Sequence, residues 1–277
     1  MVMDFFFSEI KGGAELNAES LVERFSDIGV NIQKMKSERI TVDFMEKNKD
    51  KKFIFSNFIL LKEECKRYAI DNLKYAIYEQ DHKYLKTRNP IGFVDFKAPK
   101  DQLANIEFYR NAVVVFFLTK LAKDIFVLNT ELDNVCNLTS SVWTKKDLKS
   151  IRRFCNTEKT KKIAIMDSAN PIKRTLDCIR YCEKNNLEYE LIKDNNFIKF
   201  MEKMSKFERL VFFTGHLETC ARILVEAKML NLKTTYQKRL IGAASEDWYS
   251  LSGADLIDKM EEVSSKMPYK VMECLSE

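Results

Sequence analysis

Residues 209–237 read RLVFFTGHLETCARILVEAKMLNLKTTYQ. RLVFFT is a short apolar run of the length of a buried strand. Thr214-Gly215-His216 interrupts it, and an amphipathic pattern begins after Glu218, with Ile223, Leu224 and Ala227 turned to a core. LKTTYQ then returns to a strand pattern. Strand, helix, strand in this order is how parallel strands are joined, since antiparallel neighbours need only a tight turn.

The same unit recurs on either side. Upstream, KKIAIMD reads as a strand and PIKRTLDCIRYCEKNN as a helix with Pro171 in its first turn. LEYELI reads as the next strand. In the first half, MDFFFSEI reads as a strand, residues from about 14 to 28 as a helix, and GVNIQKM, KKFIFSNFILL and KYAIYEQ as strands. A helix over residues 63–70 lies among them, and DIFVLNT, after the apolar Val113 region, completes five strands. Thr144 is placed to cap a new helix, with Asp147 three residues on. The reading predicts two doubly wound domains, 1–142 and 143–277, with a helical tail from about Ala254 packing back on the first. One sheet of ten or so strands is the less economical arrangement.

Composition sets outer limits. The chain has 277 residues, 45% hydrophobic and 31% charged, which is enough for real cores and a solvated surface. A net charge of +5 suits an anionic ligand or an acidic membrane surface, but is too small to argue for nucleic acid. Seven cysteines follow no metal-ligand spacing. Cys178 and Cys182 share a helix face with no histidine near, so they make a poor metal site. Unpatterned thiols, the absence of a basic n-region in MVMDFFFSEI and apolar runs too short to span a bilayer predict a cytoplasmic protein.

Doubly wound sheets bind ligands beyond the carboxyl ends of their strands. Three junctions there carry candidate chemistry. Gly12 and Gly13 form a loop open to close backbone approach by a phosphate or sugar. Glu218 and Glu226 stand with seven residues between them. On one continuous helix they would be about 12 Å apart along the axis, the span of a diphosphate flanked by hydroxyl-bearing rings. Solvated helix glutamates are the plainer alternative. Lys173 and Arg174 follow the first strand of the second half, where a cation can meet a phosphate.

Taken together and in order, KGGAE, NPIKR and ETCARILVE resemble GT-B glycosyltransferases, and most of all the retaining nucleotide-sugar enzymes of glycosyltransferase family 4. The resemblance implies two Rossmann-like domains facing a cleft. It implies Glu226 on the ribose of a nucleotide-diphosphate sugar, Glu218 on the transferred sugar, and the diphosphate on the N–H groups of Thr219, Cys220 and Ala221. Lys173 then neutralises the leaving group, His82 lies near the sugar, and His216 touches the donor. Asp81 and Glu79 are alternatives on the acceptor side. With no Asp-x-Asp motif, the resemblance implies metal-independent chemistry with no cofactor beyond the donor, on a glycan, lipid-linked or other small acceptor. Three positions depart from the family: ETCA replaces EGFG, Asn231 stands where a glycine is usual, and the arginine expected ahead of Lys173 is replaced by Ser168 or Asn170. The departures keep a non-catalytic nucleotide- or glycan-binding protein open as an alternative, as the phage members keep open a DNA-modifying sugar transferase.

Overall fold

Every residue of Tyr75–Glu79 is buried, odd and even positions alike. A strand covered on both faces belongs inside a parallel sheet flanked by helices. In the computed structural model, which describes residues 1–4 and 12–276, this strand is the fourth of a six-stranded sheet. The described chain falls into two compact units, Met1–Val142 with Val263–Glu277, and Trp143–Glu262.

The first unit runs β1 (Val2–Asp4), α1 (Gly13–Asp27), β2 (Gln33–Met35), α2 (Val42–Lys47), β3 (Phe53–Phe55), α3 (Glu63–Asn72), β4 (Tyr75–Glu79), α4 (Ile106–Arg110), β5 (Val114–Phe117), α5 (Lys120–Thr130) and β6 (Val135–Asn137). The strands lie in the order β2-β1-β3-β4-β5-β6, and every pairing is parallel. Its core is aromatic: Phe55, Phe58, Tyr75 and Phe108 meet ring to ring at 4.8–5.5 Å. Burying each such side chain stabilises the unit by about 1.5–3 kcal/mol.

The second unit runs α6 (Lys145–Phe154), β7 (Thr160–Met166), α7 (Thr175–Lys184), β8 (Tyr189–Ile192), α8 (Phe197–Met204), β9 (Phe207–Val211), α9 (Arg222–Met229) and β10 (Lys233–Thr235). Its parallel sheet has the order β10-β9-β7-β8. Thr144 caps α6, its hydroxyl accepting from the Asp147 N–H at 3.0 Å as the spacing predicts. A last helix, α10 (Gly253–Cys274), starts in the second unit and ends in the first. No described helix is long and apolar enough to cross a membrane.

Two parallel sheets match the expected α/β architecture, with local corrections. DIFVLNT is not a strand but the second half of α5, and the fifth strand is the VVFF before it. Thr119 caps α5, accepting from Ala122 N at 3.5 Å, which starts the helix upstream of the apolar run. KKFIFSNFILL is extended only over Phe53–Phe55 and then turns through a short 3₁₀ segment at Phe58–Leu60. Of MDFFFSEI, only the part up to Asp4 is a described strand; residues 5–10 lie outside the described residues.

Candidate functional site

Both sheets reverse their winding direction beside their first strand. In the second unit the reversal lies between β7 and β9, and in the first between β1 and β3. Connections diverge there, and the carboxyl ends leave a crevice between them. The loop after β7 carries Lys173, and the loop after β9 carries Glu218.

These two side chains meet. Lys173 Nζ lies 2.8 Å from Glu218 Oε1, with the side chains 29% and 17% exposed. Thr214 donates its hydroxyl to the same oxygen at 3.1 Å, so Oε2 lies outside both bonds. The lysine ammonium also sits 5.6 Å from the centroid of the Phe212 ring. Glu218 is fixed through its backbone as well. It forms an isolated parallel bridge to Ile241, donating to Leu240 O at 2.9 Å and accepting from Gly242 N at 2.8 Å. On the other side, Gly215 N donates to Ile172 O at 2.7 Å and ties the two loops together. Arg174, next to Lys173, takes a positive φ of 44°, pairs with Asp177 and keeps its side chain against Gly215, where an added Cβ would lie 3.2 Å from its Nε. Asn170, which stands near the expected arginine, caps the turn by accepting from Ile172 N.

His216 donates its backbone N–H to Thr214 Oγ1, and its Nδ1 lies 3.1 Å from Leu217 O. That contact favours the proton on Nδ1. Thr219, Cys220 and Ala221 are buried, but they precede the helix rather than open it. α9 begins at Arg222 because Ala221 takes φ 63°, ψ 64°, a left-handed conformation that no helix continues. So Glu218 and Glu226 do not ride one helix, and the 12 Å helical span does not apply to them.

Glu226 is 5% exposed. It accepts the Trp143 indole N–H at 3.0 Å, and its Oε1 lies 3.4 Å from Arg222 Nε. The Arg222 guanidinium stacks 4.5 Å from the Trp143 ring centroid. Burial pushes the Glu226 carboxyl above its ordinary range, against the opposing pull of Arg222 and Trp143. Sequence reading missed both partners. Arg222 carried a signal in its i,i+4 spacing to Glu226. Trp143 carried none, since only the fold brings it near.

In the first unit the polar groups gather at the same edge of the sheet. Asp4, at the end of β1, is 1% exposed and accepts from Ser37 Oγ at 2.6 Å and from the backbone N–H groups of Ser56 and Asn57. Burial pushes its carboxyl up to about 6 despite those bonds. Gly12 is the extended cap residue of α1 and Gly13 its first residue. His82 follows β4, 1% exposed, at a φ of 58°, its Nδ1 3.1 Å from the Tyr84 hydroxyl. Glu79 is buried against Lys83 and the Tyr109 hydroxyl. Burial would raise its carboxyl, but Lys83 and Tyr109 overcome it and hold it below the usual range. Lys83 and Arg88 both pair with Asp81. Thus His82, Gly12, Gly13, Glu79 and Asp81 belong to the first unit, and the other candidates to the second. Among the described residues, no three His, Cys, Asp or Glu side chains gather to hold a metal.

No protein-family model matches this sequence, and no curated protein matches it. Solved structures do. Sucrose-phosphate synthase from Thermosynechococcus elongatus is 8% identical, with 99% of this chain and 93% of that chain covered at a TM-score of 0.57. An alpha-glucosyltransferase in complex with UDP and a 13-mer DNA containing a central A:G mismatch is 10% identical over 97% and 89% at 0.54. The Methanocaldococcus jannaschii UDP-GlcNAc 2-epimerase, in complex with UDP-GlcNAc and UDP, is 8% identical over 100% and 99% at 0.53. At such low identity the likeness is one of fold, and the fold is GT-B.

Proposed function

We propose that the chain is a glycosyltransferase that moves a hexose from a nucleotide-diphosphate sugar to an acceptor hydroxyl, with retention and without a metal. The fold alone does not choose this activity, since an epimerase has it too. The observation that carries the reading is the Lys173–Glu218 pair, built from two loops at the reversal point of the second sheet.

Each partner has a chemical task in the proposal. As the bond from the anomeric carbon to the diphosphate oxygen breaks, negative charge gathers on the leaving phosphate. Lys173 stands to meet that charge, and a fixed cation stabilises it most in the transition state. Glu218 accepts hydrogen bonds from hydroxyls of the transferred sugar, through the oxygen that Lys173 and Thr214 leave unengaged. The backbone of Thr219, Cys220 and Ala221, with His216, contacts the donor, and Glu226 takes the ribose. Gly12 and Gly13 admit the phosphates or sugar from the first unit, and His82 polarises or positions rather than attacks. The acceptor is a glycan, a lipid-linked sugar or another small molecule, and the protein works in the cytoplasm or at a membrane surface.

The test is steady-state kinetics beside calorimetry. Thermal-shift screening of uridine, guanosine and adenosine diphosphates and their sugars first finds the donor, since a bound ligand raises the melting point. Lys173→Ala is then expected to cut turnover roughly a hundredfold while changing donor affinity less. Glu218→Ala is expected to leave affinity for the bare nucleotide diphosphate nearly unchanged while transfer falls. Equal loss of sugar-nucleotide and nucleotide binding, with turnover intact at saturation, refutes these roles. Activity abolished by EDTA and restored by a divalent cation refutes metal independence. Donor binding with no transfer or hydrolysis would mark a binding protein instead.

A further inference from the structure

Five of the seven cysteines, Cys65, Cys155, Cys178, Cys182 and Cys220, are buried. The two that are not, Cys136 and Cys274, face each other with their sulfurs 3.9 Å apart, although 138 residues separate them in sequence. Cys136 is the middle residue of β6, the edge strand, which pairs only with β5. Cys274 ends α10. One turn earlier on that helix, Lys270 Nζ donates to the carbonyl oxygen of Asn137 at 2.5 Å. Neighbouring residues of the strand thus meet helix residues four apart on one face. The second contact holds the helix end in the register that brings the sulfurs together.

Thiol–disulfide exchange needs an accessible thiolate and a second thiol within reach. Burial pushes the thiols of Cys65, Cys178 and Cys182 up, Cys178 to about 11, and also covers them. Half-buried Cys136 and Cys274 are open to a small reagent. A disulfide needs its sulfurs at about 2.0 Å. The remaining gap is of the size that side-chain rotation can close while the helix end stays where Lys270 holds it.

We propose that Cys136 and Cys274 form a thiol–disulfide exchange site, oxidised to an intramolecular disulfide by low-molecular-weight disulfides of the glutathione type. One thiol loses its proton and attacks a sulfur of the reagent, whose S–S bond breaks and releases one reagent thiolate. The second protein thiol then attacks the mixed disulfide, releasing the other half. Two protein S–H bonds are replaced by one S–S bond, and the reagent's S–S bond by two S–H bonds. The closed ring of sequence contains the whole second unit. The proposal does not rest on the sugar-transfer reading.

The experiment is incubation of the full chain with glutathione disulfide, acid quenching, alkylation, and peptide mapping by mass spectrometry without reduction. The expected product is one linked peptide pair joining Cys136 to Cys274, lost on treatment with dithiothreitol, with the other five cysteines alkylated only after unfolding. Cys136→Ser is expected to leave Cys274 as a glutathione adduct and to give no linked pair. Wild-type protein that carries separate glutathione adducts on both residues, links a different pair, or keeps both thiols overturns the proposal.

Discussion

At the scale of single residues, the second unit separates two glutamates that look equivalent in the sequence. Glu218 is partly open and bonded through one oxygen, whereas Glu226 is enclosed by Trp143 and Arg222. Glu226→Ala is therefore expected to have two effects. It should weaken nucleotide binding by about 1.5–3 kcal/mol, the range for hydrogen bonds to a charged group. It should also lower stability by roughly 1–3 kcal/mol, because the Trp143 N–H and Arg222 each lose their contact with a buried carboxylate. Calorimetry and urea unfolding separate the two, and a loss of stability alone would make Glu226 a structural residue. Asp4 offers a pH signature. Its folded value of about 6 lies above its ordinary 3.8. Below about pH 4 both states keep the proton. As pH rises the unfolded chain ionises first, so the fold loses stability until about pH 6, by an amount on the order of 3 kcal/mol. Asp4→Asn should remove that slope. The difference between variant and wild type carries the signal, because Glu79, held below its usual range, slopes the other way.

At the scale of elements, two of the three departures from the glycosyltransferase pattern fall at left-handed backbone positions. Ala221 has φ 63° and Asn231 φ 60°, both where glycine is expected and where other residues are strained. Asn231 also braces the start of α10, because a Cβ on Gly253, itself at φ 55°, would lie 2.9 Å from Asn231 Nδ2 and 3.0 Å from its Cγ. Gly253→Ala should cost roughly 2–4 kcal/mol from left-handed strain and the clash. Adding Asn231→Gly should recover the clash part, and denaturant unfolding of the four proteins measures the coupling. The same scale limits what was legible. Lys173 and Glu218 could be read because each sits in a loop after an apolar strand, and such loops share one edge. DIFVLNT could not, since seven apolar-rich residues suit strand and helix equally and the deciding cap, Thr119, lies upstream. β6 and α8 escaped notice because three half-buried residues and one short amphipathic run give little periodicity. Trp143 and Asp4 depend on tertiary contacts that no local pattern encodes.

At the scale of the whole molecule, acidic and basic side chains balance in the first unit, so the net +5 resides in the second, the side proposed to hold an anionic donor. The end of α10 and the residue after it contribute Met267, Val271 and Leu275 to the core, each exposed by 2% or less. At about 1.5–3 kcal/mol each, they rival the net stability of an ordinary domain, roughly 5–15 kcal/mol. A chain ending at Glu262 should therefore lose hydrogen-exchange protection in β1–β6 while β7–β10 keep theirs; native protection throughout would refute this.

That discontinuous first unit sets a schedule for synthesis. Residues 143–262 must be translated between its two pieces, a delay on the order of ten seconds at about 5–20 residues per second. Throughout that interval the nascent six-stranded sheet lacks its closing helix, while the later unit is free to fold as it leaves the ribosome. The part made first is completed last, and its uncovered apolar surface is where a chaperone would be needed.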